Sequence, residues 1–125
     1  MEHSYKVSVQ ARPFYLAEQS DESSEQYTFA YQITITNEGS VAAKLLSRHW
    51  IIEDAEGKTQ EVRGEGVIGE HPELAPGQSF EYTSGVTLNS PVGTMRGSYQ
   101  MIAADGTEFE APIEQFVLSM PRTLH

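Results

Sequence analysis

The letters of a phosphate cradle stand at Gly64-Glu65-Gly66-Val67-Ile68-Gly69. GxGxxG binds dinucleotides where a strand hands over to a helix, because the free amides and dipole of the helix N-terminus receive the pyrophosphate. Here a short strand precedes the motif, but Pro72 and Pro76-Gly77 follow closely and leave no room for a crossover helix. Glu65 inside the motif and Glu70 just after it set negative charge against an incoming phosphate. The plainer expectation is a long inter-sheet connection whose glycines take positive φ and pack closely on a neighbouring strand. The alternative is a backbone nest for an anion, with Gly64, Glu65, Gly66, Gly69 and Glu70 as the ligand or partner loop.

The same segment holds a second set of chemistry-bearing side chains. Glu70, His71 and Glu73 are candidate metal ligands, with His49 as a distant partner. Carboxylates suit Mg²⁺, whereas an imidazole would favour Co²⁺ or Zn²⁺. No HExxH spacing is present, and Pro72 disfavours a helical arrangement. The plainer expectation is an exposed acidic loop with an incidental histidine. No cofactor is expected.

Arg48-His49-Trp50 form a third group. In a strand, Arg48 and Trp50 share one face and His49 points to the other. An arginine in so apolar a stretch needs a partner, so a structural ion pair or a cation–π contact is expected for it. Ser47 and Ser84 belong to no GxSxG elbow or Ser-His-Asp order. Without a paired acid and base or a basic cluster beside the glycines, the chain reads as a non-enzyme.

The elements that must hold these residues are strands. Tyr5, Val7, Val9 and Ala11 alternate with polar residues until Pro13, which ends the strand or marks a sheet edge. Residues 17–26 (AEQSDESSEQ) read as an exposed loop. Tyr27, Phe29, Tyr31, Ile33 and Ile35 line one face of the clearest strand, closed by Asn37-Glu38-Gly39-Ser40. Residues 45–52 are apolar on both faces around Trp50 and should be central. A turn at 54–58 leads back through 59–63, and a Gly/Pro-rich stretch covers 64–77. Further alternation follows at 79–86, at Met95, Gly97, Tyr99, Met101 and Ala103, and at 109–118 across Pro112. The pair Asp105-Gly106 signals a hairpin between the last two. The six tyrosines fall mostly on core-facing positions, where an inner ring and a wet hydroxyl would suit a sandwich rim. The tail from Pro121 onward should be loosely held.

No window shows a helical stripe with caps. Regularly spaced strands predict an all-β, fibronectin type III-like sandwich of about seven to eight antiparallel strands, in one domain spanning 1–125. Trp50 should fill the space between the sheets.

Composition narrows the function classes. Eighteen acids against eight bases give a net charge of −10. That argues against general nucleic-acid binding, which needs a basic face, and against anionic membranes. The absence of cysteine excludes disulfides, thiolate metal sites and cysteine nucleophiles. No apolar run approaches the roughly 20 residues of a membrane span, and Met1–Lys6 has no signal-peptide character, so a cytoplasmic setting is expected.

Taken together, several segments resemble the ApaG (CorD) family: Leu46-Ser47-Arg48-His49-Trp50, Gly64 to Glu70, Leu74-x-Pro76-Gly77, Phe80-x-Tyr82-Thr83-Ser84-Gly85 and Gly93-x-Met95-x-Gly97-x-Tyr99. Ala30-Tyr31 and the closing Pro112-Ile113-x-x-Phe116-x-Leu118 extend the resemblance over nearly the whole chain. One departure is Ile68, where valine is common in the family. The resemblance implies a fibronectin type III-like sandwich in a bacterial cytoplasm and a link to cobalt resistance and magnesium efflux. Related domains in F-box proteins and in a DNA-polymerase-interacting protein imply an interaction role. The expectation is therefore a protein-binding module with a partner of unknown identity, as a monomer or weak homodimer, in divalent-cation homeostasis. The competing expectation is a domain that binds a pyrophosphate or nucleotide at the glycine loop.

Overall fold

The structure, a computed structural model, describes residues 3–121; the tail expected to be loosely held lies, beyond Pro121, outside the described residues. Eight strands follow in order: β1 (Val7–Tyr15), β2 (Tyr27–Asn37), β3 (Ala43–Asp54), β4 (Thr59–Glu65), β5 (Glu73–Leu74), β6 (Ser79–Leu88), β7 (Val92–Ala103) and β8 (Glu108–Ser119). They form two antiparallel sheets packed as a sandwich. One runs β1-β2-β6; the other runs β4-β3-β7-β8, with β5 pairing the start of β3. The loop expected between β1 and β2 contains two short 3-10 turns, Ala17–Gln19 and Glu22–Ser24.

Period-two patterning builds the core. Phe29, Tyr31, Ile33 and Ile35 of β2 face Leu45, Trp50, Met95, Tyr99 and Met101 of the opposite sheet, all buried. Trp50, 3% exposed, meets the Tyr31, Phe116 and Tyr99 rings edge-on, with centroids 5.4, 6.0 and 6.3 Å away. It fills the inter-sheet space as the sequence predicts, and β3 lies centrally between β7 and the β4/β5 side. Pro13 lies within β1, opposite Tyr31. It is tolerated because β1 is an edge strand whose outer side needs no ladder donor.

A bulge between Leu45 and Ser47 changes which residues of β3 face inward. Ala43 and Leu45 point to the core before it; Trp50 and Ile52 do so after it, with Arg48 on their face. The extra residue resets the period-two alternation. Without that shift, Arg48 would point away from the opposite sheet.

The wet hydroxyls expected for the tyrosines are not found at Tyr99. Its ring is fully buried, and its hydroxyl bonds the hydroxyl of Tyr82 between the sheets. A buried phenol must find a partner, and here each supplies the other.

The two sides of the sandwich differ. β1 lies alongside β8 at one side. At the other, the edges of β4 and β6 stand apart and leave an open cleft.

Candidate functional site

The glycine-rich segment is a tight hairpin extension at the end of β4. The Gly66 amide donates to the Leu46 carbonyl at 2.9 Å, fastening the loop to β3. The Val67 amide donates to the Glu70 carbonyl at 2.8 Å, and the Glu70 amide returns a bond to the Val67 carbonyl at 2.9 Å. Between them, Ile68 and Gly69 both have positive φ, +44° and +77°. This is a two-residue turn of the I′ kind, in which both central residues must be left-handed. Val67 is fully buried and anchors the turn, whereas Ile68 at its tip is 58% exposed.

Ile68 is the unusual element. A β-branched side chain crowds the backbone at positive φ, so such residues are rare there. The conformation costs of order 1–3 kcal/mol and persists only where its surroundings over-determine it. Here the reciprocal Val67–Glu70 bonds and buried Val67 do so. Gly66, at φ +63°, has no room for a Cβ, which would meet the Glu70 carbonyl.

Arg48 holds the loop from below. Its Nη1 donates to the carbonyls of Glu65 and Gly66 at 3.1 and 2.9 Å. Gly64 lies opposite Arg48 in the β3–β4 ladder, and a Cβ there would stand 2.7 Å from the guanidinium carbon. The glycine therefore makes space for the arginine head. The ion pair or cation–π contact expected for Arg48 is not what is seen; backbone carbonyls take its charge instead. No carboxylate pairs with it among the described residues.

This polarity runs against a nucleotide cradle. Phosphate needs converging amides, but those of Gly66, Val67 and Glu70 are engaged within the protein. The carbonyls of Glu65 and Gly66 converge instead, on a cation. A nest and an arginine clasp require opposite ends of the peptide dipole.

The candidate metal ligands are not gathered. His71 turns its Nδ1 toward the Leu45 carbonyl at 3.2 Å, and Glu73 pairs with Lys44 in the β3–β5 ladder. His49 lies on the opposite face of β3 from Arg48 and meets Glu61 at 2.7 Å. Among the described residues no group of three or more acids and histidines is arranged to hold a metal ion. Also among them, no helix is long and apolar enough to cross a membrane.

Two features escaped the sequence reading. The Arg48–carbonyl clasp is one; its only advance signal was a glycine, Gly64, at the residue that pairs with Arg48. The cleft between β4 and β6 is the other. It depends on which strands remain unpaired, which local patterning does not reveal.

The chain is similar to known proteins along nearly its whole length. The family described as the ApaG domain matches residues 17–103. The chain is 58% identical to Protein ApaG of Thiobacillus denitrificans over 121 residues, covering 97% of this chain and 95% of that one. It is 59% identical to Protein ApaG of Ralstonia nicotianae, covering 97% and 98%. A crystal structure of a Bordetella pertussis protein described as ApaA superposes with a TM-score of 0.93 at 55% identity, over 96% of this chain and 98% of that one. The matched span contains the Arg48 clasp, the strained turn and the Trp50 core, and the chain accordingly belongs to the ApaG domain family.

Proposed function

We propose that this protein is a non-enzymatic interaction module that presents the Gly64–Glu70 turn, with Ile68 at its tip, to a protein partner. The observation that carries this reading is Ile68: an apolar, β-branched residue at φ +44° and 58% exposed, where asparagine or glycine would relieve the strain. Backbone strain in support of an exposed hydrophobic tip is what a docking residue requires, because rigid presentation lowers the entropy lost on binding. The Arg48 clasp and buried Val67 provide that rigidity. The link to cobalt resistance and magnesium efflux that the family resemblance implies supports a role for the module in divalent-cation homeostasis in the cytoplasm.

The test is site-specific photo-crosslinking in the host, with the reactive group at position 68 and, as a control, at exposed Phe14. The expected outcome is a discrete adduct from position 68 that is absent from position 14 and changes with added Mg²⁺ or Co²⁺. No adduct at position 68, or identical adducts at both positions, defeats the reading. Saturable Mg²⁺-nucleotide binding that disappears in a folded Gly66→Ala variant would establish the competing ligand-binding function.

A further inference from the structure

The cleft between β4 and β6 has a volume of about 330 Å³. Tyr31, Trp50, Val62, Val86 and Met95 provide apolar walls, and Arg48 is its charged lining residue. The two Arg48 bonds to the glycine loop both come from Nη1. A guanidinium carries five N–H donors. No buried polar side-chain atom lacks a partner among the described residues, so the remaining Arg48 donors lie in accessible space. They have no carboxylate partner there. A half-buried cation is thus held at one side of a cleft that apolar side chains share with Gln60, Ser84 and Thr87, with donors not engaged by any described residue.

The two rims differ in a way that matters. Both are open sheet edges, and an edge strand leaves alternate backbone amides and carbonyls unpaired. β4 carries Glu61, Arg63 and Glu65, charges of the kind that blunt an edge. The β6 segment Thr83-Ser84-Gly85-Val86-Thr87 carries neither charge nor proline. This five-residue stretch of β6 is an unprotected template, and Ser84 to Thr87 border the cleft directly.

We infer that β6 accepts an extended peptide of another protein as an added strand. The peptide places an apolar side chain in the cleft and an aspartate or glutamate carboxylate on the free donors of Arg48. The backbone edge supplies ladder bonds, and alternate side chains of the added strand fall on the cleft side. Arginine suits the acidic residue because its planar head binds a carboxylate through two parallel bonds. This surface lies apart from the Ile68 tip and goes beyond the proposed function; Arg48 belongs to both, and the peptide Glu→Gln comparison tells the two apart.

The test begins with selection of displayed random dodecapeptides on the full chain. Enrichment should favour sequences with an acidic residue two positions from an apolar one. A selected peptide labelled with fluorescein should then bind saturably by anisotropy. Its Glu→Gln counterpart should bind about tenfold or more weakly, as expected for loss of a charged hydrogen bond. Amide hydrogen exchange of the unmutated protein should slow at 83–87 when the acidic peptide is present. Arg48→Gln should reproduce the loss, and Ile68→Ser should leave peptide affinity unchanged. The exchange and Glu→Gln measurements keep the proposal testable if Arg48→Gln fails to fold. Absence of acidic enrichment, equal affinity for the two peptides, or protection confined to β4 or to the glycine turn overturns it. So does competition by millimolar acetate or inorganic phosphate alone, which would show a small-anion site.

Discussion

The hydroxyls of Tyr82 and Tyr99 bond each other between the two sheets, joining β6 of one to β7 of the other. Each is the other's hydrogen-bond partner, so removing one strands the other. Tyr82→Phe leaves the fully buried Tyr99 hydroxyl alone and should cost about 1–3 kcal/mol. Tyr99→Phe should cost less, because Tyr82 is less completely buried than Tyr99 and its hydroxyl can recruit water. The double Phe variant should be more stable than the sum of the single losses implies. Urea melts arranged as a double-mutant cycle measure this coupling. Strict additivity would show that the pair contributes nothing jointly.

The same pair predicts alkaline lability. Burial pushes the Tyr82 phenol up from 10.0 to about 12, and burial pushes Tyr99 further in the same direction. The folded state therefore holds these protons more tightly than the unfolded chain. Their stabilising contribution is fully present below pH 10 and is lost as the pH rises through about 12. Urea midpoints should fall across that window, and phenolate absorbance should appear together with unfolding. Tyr82→Phe/Tyr99→Phe should flatten the decline. An unchanged decline in that variant would assign it to other groups.

Trp50→Ala should destabilise the domain by roughly 3–5 kcal/mol, because it removes the ring that three aromatic neighbours enclose. In a domain of this size that can abolish folding. Chemical denaturation gives the answer. A loss below about 1 kcal/mol would mean that the neighbouring rings collapse into the space.

Ile68→Asn should raise stability by about 1 kcal/mol while weakening partner capture. The change creates the Asn-Gly pair that I′ turns favour and relieves the φ of +44°. Stability gained at the expense of function is expected where strain serves binding. Thermal melts and the crosslinking assay report the two effects separately. Lower stability would show that the exposed isoleucine packs usefully on the fold.

Gly66→Ala should lower stability with no ligand-dependent component, since a Cβ meets the Glu70 carbonyl and φ is +63°. In the unmutated protein, calorimetric titration with ATP, GTP or diadenosine tetraphosphate should show no saturable heat, with or without Mg²⁺. The engaged amides of Gly66, Val67 and Glu70 and the flanking carboxylates of Glu65 and Glu70 motivate this. Saturable binding lost in a folded Gly66→Ala variant would reverse it.

Much of the architecture was legible from local residue order. Alternation in β2, β6 and β7 marks inward residues because a strand turns successive side chains to opposite faces. The apolar run around Trp50 identifies a central strand for the same reason. Pro72 and Pro76 exclude a helix after the glycines whatever the rest of the chain does. Other features depend on residues distant in sequence. Whether Arg48 meets a carboxylate or a carbonyl depends on the bulge before it and on Gly64 across the ladder. Whether a tyrosine hydroxyl is wet depends on the strand of the other sheet that faces it, as Tyr82 faces Tyr99. The positive φ of Ile68 follows from bonds between Val67 and Glu70 that close a turn too tight for its side chain. The composition and period-two pattern of this chain determined an acidic two-sheet sandwich with a glycine-rich connection. Only the tertiary structure decided that the connection is clasped by Arg48 and that β4 and β6 are left open, because sheet pairing and hydrogen-bond closure arise between segments whose local patterns are compatible with several partners.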